Sequence, residues 1–193
     1  WAYHPYEVQD VLFMIMKPSL RRFVRTAHMI FTIGWFGAVA SFLVLAVTGL
    51  TNQNVQVVSD AYLGMELITQ FVIVPLSILP LLLTGPVLSL GTPWGLFRHY
   101  WILMKLAINI LSTVILLLHL QPIRYLSQAA AEGKLSASDR GLQIQMVLAS
   151  GAGLLALLIA TVLAVYKPRG MTAYGWRKQY ENPKAPPDLG PAR

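Results

Sequence analysis

MIFTIGWFGAVASFLVLAVTGL, residues Met29 to Leu50, carries no charged side chain. A bilayer's hydrocarbon core takes about 20 predominantly apolar residues to cross as a helix, so this run reads as a membrane span. Leu20 to His28 continue it toward the N-terminus with Arg21, Arg22 and Arg25 inserted, and the polar run Thr51-Asn52-Gln53-Asn54 ends it. The first span is therefore expected over about residues 20–50, and three more apolar runs place others over about 61–90, 98–120 and 142–166. The composition agrees. The chain is 55% hydrophobic and 12% charged, against about 25% charged for an ordinary soluble domain. The expected fold is all-α: a single four-helix antiparallel transmembrane bundle over residues 20–166.

Residues 1–19 place Val8, Val11, Leu12 and Ile15 at helical spacing among Glu7, Gln9 and Asp10. That pattern fits a short amphipathic juxtamembrane helix or a docking helix. Lys17-Pro18-Ser19 reads as a break with Ser19 capping the first span. Pro75, Pro80 and Pro86 fall inside the second span, where a membrane helix tolerates proline at the expense of a kink. Gly91-Thr92-Pro93-Trp94-Gly95 reads as a turn. Gln121-Pro122 is expected to close the third span before a polar loop reaching Arg140, where Ser136 and Asp139 are spaced as a capping box. Residues 167–193 form a basic tail, its last dozen residues extended or disordered.

The net charge of +7 does not point to nucleic acid, because the basic residues flank apolar runs instead of lining a polar, aromatic-studded surface. It points to topology. The N-terminal flank, second loop and tail hold 12 Lys and Arg, whereas the other two loops hold only Arg124, Lys134 and Arg140. The positive-inside rule puts the first group, and both termini, in the cytoplasm. Trp94, Tyr100, Trp101 and Tyr166 then fall near that interface. Cysteine is absent, which removes disulfides, thiolate metal sites and cysteine nucleophiles.

Polar side chains are costly in lipid unless they face protein or water, so their angular positions carry information. Arg98, Lys105, Ser112 and His119 recur every seven residues, and Trp101 and Asn109 share their stripe. Either this face points into the bundle, or Arg98 and Lys105 snorkel to the interface. Glu66, Gln70, Ser77 and Thr84 form a matching stripe on the second span, with Ile73 and Pro80 between them. Glu66 and His119 fall at one depth and read as a carboxylate–imidazole pair or as two groups solvated at the outer interface. On the first span Arg25, His28, Thr32 and Trp35 share a face, while Gly34 with Ala38 and Gly37 with Ser41 permit close helix approach. Ala149, Gly153, Ala156, Ala160 and Ala164 mark the fourth span as a packing helix. The seven methionines are scattered, as core filling requires. His28 and His99 meet the cytoplasmic interface at similar depth, as axial haem ligation would need, although interfacial histidines are more often simply hydrogen-bonded.

His28-Met-Ile-Phe-Thr-Ile-Gly-Trp35-Phe36-Gly37 resembles the first-helix signature of the copper-resistance D-like membrane proteins and the HemJ-type protoporphyrinogen oxidases, together with their uncharacterised bacterial relatives. Trp101-Ile-Leu-Met-Lys105-Leu106 resembles a later helix of the same group. The resemblance implies haem b held through His28, with Lys105 near the porphyrin and Trp35 as a wall, in a bacterial cytoplasmic membrane. It does not fix a second axial ligand. His99 suits the depth, while His119 lies about 30 Å farther along its helix. Haem b between the first and third helices, with Arg98 or Lys105 pairing its propionates, is one expected function. The other is a non-catalytic accessory or assembly subunit that meets lipid, other membrane subunits or a second copy of itself. No phosphate loop, nucleophile elbow or His-Glu-x-x-His motif marks a stand-alone enzyme.

Overall fold

The computed structural model describes residues 17–90, 96–168 and 170–181. The expected amphipathic segment before Lys17, the turn at Gly91 to Gly95 and the last dozen residues lie outside that description. Among the described residues the chain is helical, with no strand.

Helix α1 spans Pro18–Thr51. Its start corrects one expectation: Lys17 is the N-cap and Pro18 takes the first turn, where its missing N–H would have no helical partner in any case. Trp35, Ala38, Phe42, Ala46 and Gly49 are its buried line. Gly34 and Ala38 belong to the packed side, and a Cβ on Gly34 would come within 3.2 Å of Leu76. Gly37 and Ser41 are exposed, so only one of the two small-residue pairs serves helix approach.

Helix α2 spans Val55–Ser89. Asn54 caps it, its side chain accepting from the Gln56 and Val57 amides. The helix runs through its prolines by local π geometry at Thr69–Ile73 and Pro80–Thr84. In these wider turns Val74 N–H bonds the Thr69 carbonyl and Gly85 N–H bonds that of Pro80, so the register shifts beside the residues that cannot donate. Ile73, Ser77, Pro80 and Thr84 of the polar stripe face inward, while Gln70 is exposed.

Helix α3 covers Tyr100–Leu118 and helix α4 covers Leu120–Ala131. The stretch after Gln121-Pro122, expected to be a loop, is thus largely helical. Pro122 lies in the first turn of α4, where a lost amide costs no hydrogen bond. Ile123, Leu126, Ser127 and Ala130 bury one face of this helix, at the i, i+3, i+4, i+7 spacing of an amphipathic helix, and α4 packs on the first part of α2. The capping box does form. Ser136 Oγ donates to Asp139 at 3.0 Å, and the Ser136 amide donates to the same carboxylate at 2.9 Å. Tyr125 of α4 donates to its other oxygen. Helix α5, Arg140–Tyr166, follows, and α6 spans Ala173–Glu181.

Four of these stretches are long and apolar enough to cross a membrane: α1, α2, α3 continued by α4, and α5 with its preceding turn. Their outer surfaces bear Phe71, Leu82, Leu148 and Val165, each more than 60% exposed. Such continuous apolar cover is what lipid, not water, solvates. These features describe an integral membrane protein. In the bundle α1 packs on α2 and α5, and α3 packs on α5 and the middle of α2; α1 and α3 are not closely packed on each other.

Candidate functional site

Near the start of α1, His28 Nδ1 lies 2.7 Å from Thr84 Oγ1 at the end of the second π turn. Thr32 ties the same turn down by donating to the His28 carbonyl at 2.7 Å. Two helices therefore bring an imidazole and a hydroxyl together. Lys105 lies half-buried about one turn into α3. The tautomer with the proton on Nδ1 donates to Thr84 and leaves the Nε2 lone pair available.

Before α3 the chain is strapped to itself. Thr172, just past α5, donates through Oγ1 to the Phe97 carbonyl at 2.6 Å and through its amide to the Arg98 carbonyl at 2.9 Å. It also accepts from the Gly175 amide, capping α6, and the Tyr100 amide reaches the Gly170 carbonyl. A Cβ on Gly175 would come within 2.5 Å of the Arg98 carbonyl oxygen, so only glycine allows this approach. His99 is the N-cap of α3, buried and bridged to Met171, with its ring tilted against Trp101 at 6.4 Å. Thr172→Val should loosen the strap by about 1–3 kcal/mol, the range for leaving buried hydrogen-bonding groups unmatched. Faster hydrogen exchange at the 97–100 and 170–176 amides would report it.

The second feature is a half-open cavity of ≈ 390 Å³ in the gap between α1 and α3. Trp35 and Phe42 of α1, Ile73 of α2, Ser112 and His119 of α3, and Gly153 of α5 are among its walls. Ala149, Gly153 and Ala156 all border it, so three of the five residues in the small-residue stripe of α5 open space where close packing was expected. The inward-facing stripe of α3 is realised by Ser112 and His119. Trp35 is a wall of this cavity, seven residues from His28.

Glu66 and His119 do not meet. His119 Nδ1 donates to the Ile115 carbonyl at 2.7 Å, and its Nε2 accepts from the Gln145 amide at 3.3 Å. Both ring nitrogens are thereby engaged on α3 and α5, and no hydrogen bond or ion pair joins Glu66 to them. Thr84 stood in the sequence only as one member of a stripe, and nothing singled out Thr172 or Gln145. Among the described residues no three His, Cys, Asp or Glu side chains converge. No family model matches this chain, and neither a curated protein nor a solved structure matches it.

Proposed function

We propose that this integral membrane protein binds haem b at the His28 cluster, with its four spans alternating in direction and its basic ends in the cytoplasm. The topology is supported by contacts that gather the start of α1, the end of α2, the start of α3 and the segment after α5 at one end. That end carries Arg21, Arg22, Arg25, Arg98 and Lys167, as the positive-inside rule requires.

The observation that carries the haem reading is the His28–Thr84 hydrogen bond. A ligating imidazole is commonly oriented by a bond from its other nitrogen, and Thr84 meets Nδ1 in that way. His28 Nε2 would be the donor to iron, and the Lys105 ammonium would pair with a propionate. His99 stands as the candidate second donor. Haem, when bound, supplies one-electron redox chemistry. The part of this chain is to orient His28, hold charge at Lys105 and exclude water.

The test is a reduced-minus-oxidised absorption spectrum of protein purified with haem supplied. A Soret band lost in His28→Ala, and altered in His99→Ala if that residue is the second ligand, is the expected result. A protein without a Soret band, or with one that His28→Ala leaves unchanged, overturns the reading. Copurification of a stoichiometric membrane partner in that case favours the accessory-subunit role.

A further inference from the structure

We propose that the cavity between α1 and α3 is a binding site for a single-chain amphiphile, its hydrocarbon chain lying among Trp35, Phe42, Gly153 and Leu157 and its polar head at His119 and Gln145. This inference does not rest on haem binding at His28.

The cavity falls in the size range of small-molecule sites, about 300–1,000 Å³. Its shape is elongated. On α3 the walls run from Ile108 to His119, and on α5 from Met146 to Leu157, each about 16 Å at 1.5 Å per residue. The walls are almost wholly apolar, and the few polar groups are unevenly committed. Ser150 satisfies itself on the Met146 carbonyl at 2.8 Å, as Ser and Thr usually do within membrane helices. At the α4 end of α3, His119 and Gln145 share one long hydrogen bond of 3.3 Å with Gln145 exposed, an arrangement that a hydroxyl, carboxyl or carbonyl head could replace at little loss. An apolar void inside a membrane is not stably filled by water, and the surrounding solvent is rich in hydrocarbon chains. An elongated apolar chamber with a polar group at one end therefore selects one chain and one head.

Trp35 provides the readout, because it lines the cavity and is only 4% exposed, so lipid outside the bundle reaches it poorly. The protein is reconstituted in dioleoylphosphatidylcholine nanodiscs and titrated with 9,10-dibromostearic acid or, separately, with decylubiquinone. The Trp35 component of emission is taken as the difference from Trp35→Phe. Saturable quenching by either probe is the expected result, and the probe that saturates identifies the head as a carboxylate or a quinone. Gly153→Leu should weaken binding about tenfold or more by placing a side chain in the cavity, and Ala149→Leu, from another turn of α5, should do the same if Gly153→Leu misfolds. His28→Ala should leave the quenching intact, which separates this site from the haem reading. Quenching that rises linearly with both probes without saturating, or that folded cavity-filling variants leave unchanged, overturns the proposal.

Discussion

Gly49→Ala is expected to destabilise the bundle by about 1–3 kcal/mol, the usual cost of overpacking a fitted contact, and Gly49→Leu by more. Gly49 lies in the last turn of α1 against the ring of Tyr62 on α2. A Cβ there would come within 2.7 Å of Tyr62 Cζ and 3.1 Å of its hydroxyl oxygen. The ring cannot swing away easily, since Tyr62 is itself 1% exposed. Relief requires the two helices to part. Helix propensity works in the opposite direction, favouring alanine over glycine by about 1 kcal/mol in a helix interior. Gly37 isolates that term: it is exposed with nothing near its Cβ position, so Gly37→Ala should be neutral or stabilising. Unfolded in the same detergent, Gly49→Ala should lose stability while Gly37→Ala keeps or gains it. A Gly49→Ala protein as stable as the parent would mean that α1 and α2 do not approach this closely.

The spans were legible because hydrophobic length is a one-dimensional property: Met29 to Leu50 declares itself without reference to any neighbour. Direction within the bundle was legible for the same reason, since Ser112 and His119 follow from helical period alone. Partner choice was not. Glu66 and His119 share a depth, yet nothing in depth or period says whether the ring turns toward α2 or toward Gln145 on α5. Small residues were ambiguous in a different way. Gly49 permits contact, whereas Gly153 borders space, and the two look alike until the opposing side chain is known to be Tyr62 or a void. The reading of Gln121-Pro122 as a terminator failed because proline stops a helix only from its interior. In the first turn of α4 it is compatible with one, and the Ile123, Leu126, Ser127, Ala130 pattern already carried the helical period.

Thr84→Val should expose how much the polar cluster depends on one hydroxyl. Valine keeps the shape of threonine and removes the hydroxyl that meets His28 Nδ1 at 2.7 Å. The imidazole then holds an unmatched nitrogen within the bundle. Hydrogen bonds between membrane helices average about 0.6 kcal/mol in double-mutant cycles, with a maximum near 1.7, so the His28–Thr84 coupling should fall in that range. Thr84→Val alone should lower stability, His28→Leu alone should do likewise, and the double variant should lose less than the two singles together, because two apolar groups in contact leave nothing unsatisfied. Strict additivity would show that the bond contributes nothing. If haem binds at His28, the same substitution acts on the cofactor as well. Loss of an orienting partner typically weakens a metal site by about 10–100-fold, so Thr84→Val should release haem at concentrations where the parent retains it. Thr84→Ser, which restores a hydroxyl at the same backbone position, should recover binding. His28→Ala should not be rescued by any change at position 84, since that substitution removes the donor itself.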